Sequence, residues 1–382
     1  MSVLIVLDDL VAQGGAESWR FSPSLFESHC FTKATGSGIT VPSDDLMTRA
    51  PALFFLAATV FPGVVPLSCW EQRWPQGYLT ALGLGLHPDP AVTWASVSLS
   101  HLRHLRDRLV FLHEAPPWIT SPGAVALIDA LRVPFADLGW AMHDSPGGER
   151  VLLSTPMVCR AVVAPYETIS GRSLHQVLPQ GEGVGMLMQL LTTGQLVLAR
   201  EKANRHREEQ GFPALNTPWI CGVGCGADFF DQVGAPVAMR GCFWCEDPEY
   251  AGLAHQAGWR PLDWETQKDN AVVDQNKELA LGVARVVDAV GTGPVWIQFS
   301  PTTNQRLHHL LVDFIHPLAT ALAKADVGLL LLARETQGEV AGYSWGYGRG
   351  RTLVSKRRFW HRRRWGQGDG LTMDLARTLW LS

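Results

Sequence analysis

The feature that most narrows the fold is a recurrence of short, β-branched apolar runs separated by long stretches of helical periodicity. Val3 to Leu7 is the first, a continuous apolar run that ends on Asp8 and Asp9. Similar runs stand at Val151–Leu153, Trp219–Cys221, Val237–Met239, Val295–Phe299 and Val327–Leu332. Runs this short and this uniformly apolar fit strands buried on both faces. Between them, Gly183–Lys202 carries Leu187, Leu190, Leu191, Leu196 and Leu198 as an apolar face, and Gln275–Val290 and Arg306–Lys324 show the same period. Strands alternating with helices of that length predict an α/β fold with a mostly parallel sheet and helices on both faces. In such sheets the carboxyl ends of the strands hold the functional groups, which makes Asp8 the first candidate.

The chain is long enough for two to three domains. Residues 86–184 read differently from their surroundings, with shorter strands and turns rich in Pro and Gly, as in His87-Pro88-Asp89-Pro90 and Ser145-Pro146-Gly147-Gly148. The expected organisation is therefore a core begun by residues 1–85 and completed by 185–348, with 86–184 as a smaller inserted α/β domain. Residues 349–382 form a basic, Trp-containing appendage.

Charge separates that appendage from the rest. The formal net charge is −4, but Arg349 to Arg364 holds eight basic residues and no acidic one. Removing those eight from 32 basic residues leaves 24 against 36 acids, a balance of −12 for the remainder. The strip Lys356, Arg357, Arg358, Phe359, Trp360, His361, Arg362, Arg363, Arg364 interleaves cations with aromatic rings. Such a strip can fold back on the acidic body, join a second copy, or meet an acidic protein partner. It can also engage nucleic acid by charge and stacking, or an anionic lipid surface.

Hydrophobic residues at 46% with 18% charged describe a globular chain rather than a disordered one. The opening MSVLIVLDDL lacks a basic stretch, and Ala52–Leu67 is broken by Pro62, Gly63 and Pro66, so neither a secretory signal nor a spanning helix is expected. Seven cysteines, an odd number, fit a reducing cytoplasm. Four of them, Cys221, Cys225, Cys242 and Cys245, form two close pairs with a spacing tolerable for a structural zinc. Burial as small apolar side chains is the plainer reading.

Longer motifs add a family. Leu178-Pro179-Gln180-Gly181-Glu182-Gly183 leads into a helix and then Ala203-Asn204-Arg205-His206-Arg207, Gly211-Phe212-Pro213-Ala214, and Trp219 ahead of Gly222-Val223-Gly224. A second block runs Gly77-Tyr78-Leu79-Thr80-Ala81-Leu82-Gly83-Leu84-Gly85-Leu86, followed by Pro88, Asp89 and Val92-Thr93-Trp94. With the first strand ending at Asp8, these resemble the archaeal-type cofactor-independent phosphoglycerate mutases of the alkaline phosphatase superfamily. The resemblance implies an alkaline-phosphatase-like core, two divalent ions (Mn or Zn) held by Asp and His at strand ends, and a serine that carries the phosphoryl group.

Position by position, the resemblance also implies loss. Asp8 stands at the first metal carboxylate and Ser68 at the nucleophile, but Cys69-Trp70-Glu71-Gln72 departs from the motif expected after it. Glu149 replaces a histidine, Thr302 and Arg306 replace an Asp and a His, and Arg334 with Glu335 replaces an Asp-His pair. Arginines in ligand positions repel a divalent ion. Asn204, Arg205 and Arg207 remain as candidate anion-binding residues, and the glycines around Gly222–Gly226 as a candidate phosphate loop. The expectation is a pseudoenzyme with no cofactor that binds a protein partner, a second copy or an anionic ligand. A divergent mutase or phosphatase acting through Ser68, and nucleic-acid binding through 349–364, are the alternatives.

Overall fold

The computed structural model describes residues 2–10, 38–40, 74–106, 108–112, 121–148, 150–166, 169–233, 241–262, 275–299, 310–324, 328–335, 339–348 and 351–353. The chain divides into two compact units, Met1–Val64 joined with Pro236–Ser382, and Val65–Ala235. The sequence reading placed the boundaries of the insertion at 85/86 and 184/185, whereas the two units divide at 64/65 and 235/236.

The first unit opens with β1 (Ser2–Leu10) and β2 (Gly38–Thr40). The chain then builds the inserted unit. Its elements are α1 (Gln76–Gly83), β3 (Thr93–Leu105), β4 (Arg108–Leu112), α2 (Ala124–Asp137), β5 (Ala141–Asp144), β6 (Val151–Thr155) and β7 (Arg160–Val162). They continue with α3 (Leu174–Val177), β8 (Gln180–Glu182), α4 (Val184–Leu198), α5 (Lys202–Glu209), β9 (Thr217–Gly224) and α6 (Gly226–Val233). The sheet runs β4-β3-β6-β5, with β9 also on β3, and every pairing in it is antiparallel.

That direction corrects the parallel expectation for Val151–Leu153 and Trp219–Cys221. An apolar run reports burial on two faces, not the direction of the neighbour. The six residues between β5 and β6, with Gly148 at φ +67°, are too few for anything but a hairpin. β3 is the hub. Its first half lies between β6 and β9 and its last residues pair with β4. At the handover the Asn216 side chain replaces a strand: Oδ1 accepts the Leu102 N–H (2.7 Å) and Nδ2 donates to the Leu102 carbonyl (3.0 Å).

Leu127, Ile128, Leu131 and Phe135 of α2 and Leu187, Leu190, Leu191 and Leu198 of α4 join Val97, Leu99, Trp219 and Ile220 in one buried cluster. Each such side chain removed from water contributes about 1.5–3 kcal/mol before entropy is counted. α4 approaches β9 closely because residue 194 is glycine; a Cβ there would lie 2.4 Å from Pro218 Cγ.

The chain returns to the first unit with β10 (Cys242–Cys245), α7 (Pro248–Gln256), β11 (Arg260–Pro261), α8 (Gln275–Val290) and β12 (Val295–Phe299). A π-helical turn (Leu310–Ile315) enters α9 (His316–Lys324), followed by β13 (Gly328–Glu335), β14 (Glu339–Gly348) and β15 (Arg351–Leu353). The strand order is β11-β10-β12-β1-β13-β14-β15, with β2 on β14. Pairing is parallel from β11 through β13 and antiparallel at β14, β2 and β15. The parallel expectation thus holds for the middle of this sheet only. Alternation along β12 explains its complete burial. Val295, Ile297 and Phe299 pack with Val286, Val290, Phe314, Ile315, Leu318 and Leu322 of the helices on one face. Trp296 meets Tyr250 of α7 on the other, with ring centroids 5.8 Å apart.

Candidate functional site

Because β10, β12, β1 and β13 are parallel, their carboxyl ends share one edge of the sheet, the place where open α/β sheets carry their chemistry. The register defines that edge. Leu7 pairs with Phe299 on one side and with Ala333 on the other, and then Leu10 pairs with Glu335. Between those last two pairs β1 has two residues, Asp8 and Asp9, and β13 has one, Arg334. The ladder bulges there, setting two aspartates against one arginine in register. The structure therefore brings Asp8, Arg334 and Glu335 to one edge. Ser68, Glu149, Thr302 and Arg306 lie outside the described residues.

Two further acids, Glu246 and Asp247, follow β10 at the same edge and were missed from the sequence. The signal was an apolar Cys242–Cys245 run closing on an acid pair and Pro248. Asp247 caps α7, its Oδ1 accepting the Glu249 N–H at 2.9 Å, with Pro248 at the first helical turn. Gln298, fully buried in β12, fixes the turn. Its Oε1 accepts the Asp247 N–H (2.9 Å) and its carbonyl oxygen accepts the Glu246 N–H (3.2 Å).

The donor chemistry can be tested against the two divalent ions that the resemblance implies. Hard cations need several clustered carboxylate and imidazole donors. Among the described residues no group of three or more His, Cys, Asp or Glu is placed to hold a metal ion. Along the two strands the register sets Arg334 of β13 opposite Asp8 and Asp9 of β1.

The expected anion site takes a different form. Asn204 is buried in α5, donating through Nδ2 to the carbonyls of Leu198 (2.9 Å) and Leu215 (3.0 Å) and accepting the Leu215 N–H at Oδ1 (2.8 Å). Arg207, 1% exposed, donates from Nε to the Pro213 carbonyl (3.0 Å) and from Nη1 to Ser121 Oγ (2.6 Å) and the Pro122 carbonyl (2.7 Å). These groups hold loops around α5 rather than facing a ligand. Arg205 alone of the three is exposed. The glycine cluster is likewise closed. A Cβ at Gly222 would lie 2.7 Å from Gln76 Oε1 and one at Gly226 2.7 Å from the Tyr78 ring, so these glycines admit α1 and leave no open phosphate loop.

The four cysteines divide between the units, Cys221 and Cys225 in the inserted one, Cys242 and Cys245 in the first, and all four are free thiols. Burial pushes the thiols of Cys225 and Cys245 above the ordinary cysteine range, and the carboxylates of Asp228 and Asp247 respectively add to it. That is the wrong direction for a thiolate ligand or a reactive nucleophile. The inserted unit carries one charged clamp that sequence reading did not single out. Arg160 binds Asp228 through Nε and Nη2 and donates from Nη1 to Glu182 Oε2 (3.0 Å), tying β7 to α6 and β8. Arg351 opens β15, while the cations of the basic strip at Lys356, Arg357, Arg358, Arg362, Arg363 and Arg364 lie outside the described residues. Among the described residues no helix is long and apolar enough to cross a membrane.

No family model matches the sequence. The chain is 28% identical over 180 residues to the probable 2,3-bisphosphoglycerate-independent phosphoglycerate mutase of Geobacter sulfurreducens, a stretch covering 46% of this chain and 44% of that protein. It is 28% identical over 109 residues to the 2,3-bisphosphoglycerate-independent phosphoglycerate mutase of Methanothrix thermoacetophila, covering 28% of this chain and 27% of that one. The matches thus span less than half the length of either curated relative. The solved PH0037 protein of Pyrococcus horikoshii superposes over 93% of this chain and 90% of its own with a TM-score of 0.50 at 14% identity, a likeness of fold. The two curated likenesses point to the 2,3-bisphosphoglycerate-independent phosphoglycerate mutases, and the solved structure adds a likeness of fold alone.

Proposed function

We propose that this chain is a non-catalytic relative of the mutases, a scaffold that binds a protein partner and carries out no metal-dependent phosphoryl transfer. The observation that supports this most is the strand-end register, in which Arg334 stands opposite Asp8 and Asp9 where the relatives' chemistry would call for a cation from solution. The sequence substitutions Glu149, Thr302, Arg306 and Glu335 act in the same direction. A partner protein is favoured over a small anion. The edge carries Asp8, Asp9, Glu246, Asp247 and Glu335 against Arg334, and Asn204 and Arg207 are committed to carbonyl and hydroxyl acceptors. The basic, aromatic sequence at 349–364 carries the contrasting charge, for an acidic protein, a second copy, nucleic acid or anionic lipid.

The opposing reading, a divergent mutase, draws on the names of the curated relatives. One experiment decides between them. Purified full-length protein is analysed for bound metal and assayed for interconversion of 2- and 3-phosphoglycerate with added Mn²⁺ or Zn²⁺. The expected result is neither stoichiometric metal nor turnover. Two metal ions per chain together with turnover that disappears in Ser68→Ala overturns the proposal.

A further inference from the structure

β3 and β4 run past the sheet that holds them, as a two-stranded arm. β6 pairs with β3 only as far as Val97 and β9 only as far as Ser100, whereas β4 pairs with His101 through Leu105. The root of the arm is anchored. Phe111 is fully buried, Val110 bridges to Ser173, and the Asn216 side chain takes both backbone groups of Leu102. Past that root, Arg103, His104, Leu105, Arg106 and Arg108 are all exposed. The register puts Arg103, Leu105, Arg108 and Leu112 on one face of the arm, with Leu105 directly opposite Arg108 and both leucines 39% exposed. Arg103, Arg106 and Arg108 make no ion pair with a described residue. Leu105 and Arg108 close on a two-residue turn, in which Arg106 sits at φ +34°. Glycine or asparagine fills such a left-handed position at less cost, so the third arginine is held there against the preference of the backbone.

Unpaired cations around an exposed leucine fit a partner with the opposite charge and apolar surface of its own. Three classes of partner carry that charge. A single-stranded nucleic acid binds by stacking, and the one phenyl ring of the arm, Phe111, is fully buried. A duplex or an anionic bilayer presents uniform negative charge, and Asp107 stands between Arg106 and Arg108 in the sequence. A protein places its carboxylates one at a time, beside the arginines and away from that aspartate. We infer that the β3–β4 arm is a docking site for an acidic protein segment, one that sets a carboxylate on each side of an apolar side chain against Arg103, Leu105 and Arg108. The inference rests on the partner-binding reading above and gives it a surface, in the inserted unit rather than at the strand ends of the first.

The probe is a fluorescein-labelled peptide containing Glu-Ser-Leu-Ser-Glu, whose alternate residues share one face when extended. Its control carries glutamine in place of both glutamates. Binding to the full chain is read by fluorescence anisotropy at low salt for wild type, for the triple variant Arg103→Gln/Arg106→Gln/Arg108→Gln, and for Leu105→Ser. Wild type is expected to bind the glutamate peptide saturably and at least about tenfold more tightly than the control. The triple variant should lose that preference. Leu105→Ser should weaken binding about two- to threefold with its salt dependence unchanged. No saturable binding by wild type overturns the inference. So does a preference that survives in the triple variant, which places the acidic partner elsewhere on the chain and leaves the partner-binding reading intact. Tighter, arginine-dependent binding of a short DNA duplex or of phosphatidylserine vesicles than of the peptide also overturns it. Stoichiometric metal with phosphoglycerate turnover overturns the non-catalytic reading instead. If the triple variant does not unfold cooperatively in urea, Arg103→Gln/Arg108→Gln, which keeps the Arg106 turn, is judged by the same criteria.

Discussion

His143 on β5 accumulates three contacts that make its protonation matter. Its Nε2 lies 2.8 Å from Ser154 Oγ, its ring sits 4.8 Å from that of Trp94, and Asp144 is the next residue in the chain. Burial holds its pKa below the ordinary histidine value of about 6.5, with the Asp144 charge opposing that shift. The unfolded chain thus binds this proton more readily than the folded one, and stability rises with pH across the interval. The contribution is fully present above about pH 6.5 and is lost as pH falls through that value toward the lower folded one. Urea midpoints measured between about pH 7.5 and 5.5 should fall on the acid side, and the fall should be smaller in His143→Gln. Equal falls in both proteins would show that His143 is not the group responsible. At this same scale the sequence was least readable. Asn204, Arg205 and Arg207 look alike on paper as an anion cluster. Residues 204 and 207 share one helical face and 205 does not, and only packing tells which face is buried. The Asp8 position at a strand end was readable because the apolar run before it fixes where the strand stops.

Among elements, the close contacts made through glycine set the spacing of helix on sheet. A Cβ at Gly77 would stand 2.6 Å from both the Cα and the backbone nitrogen of Ala95, so α1 lies directly on β3. Backbone cannot turn aside as a side chain can. Gly77→Ala should therefore cost about 3 kcal/mol or more, and Gly194→Ala, whose obstacle is the Pro218 ring, about 1–3 kcal/mol. Urea denaturation of the two variants beside wild type ranks them, and a Gly77→Ala cost within a few tenths of zero would refute the packing argument. Element identity was largely legible. Val295–Phe299 is β12 residue for residue, and the leucine face in Gly183–Lys202 is α4 except for Leu196, which is 59% exposed. Strand direction was not, because a short apolar run is the same whether its neighbour is parallel or antiparallel. The turn Ser145-Pro146-Gly147-Gly148 held the missing information, since only a hairpin crosses so short a gap.

At the level of the molecule, each unit has its own core. Leu127, Leu190 and Trp219 belong to the inserted one, and Val3, Ile297 and Phe314 to the first. Separate cores predict separate unfolding steps rather than one two-state transition. Asn204→Ala leaves buried carbonyl and amide groups without partners and should destabilise by about 2–4 kcal/mol. In denaturant it should move the transition of residues 65–235 and leave the other in place. A single transition that shifts as a whole would show that the units unfold together.

The register of β1 also determines what happens while the chain is being made. Val3 has Val295 on one side and Leu329 on the other, so the central strand of its sheet leaves the ribosome roughly 290 residues before the first of those neighbours. At about 5–20 residues per second that interval lasts about 15–60 s. Throughout it, Val3–Leu7 is an apolar segment whose native partners have not yet been synthesised. The inserted unit, complete by Ala235, can assemble during the wait. The nascent chain therefore carries a folded middle and an unmatched first strand, and its susceptibility to aggregation is concentrated in that strand until β12 arrives.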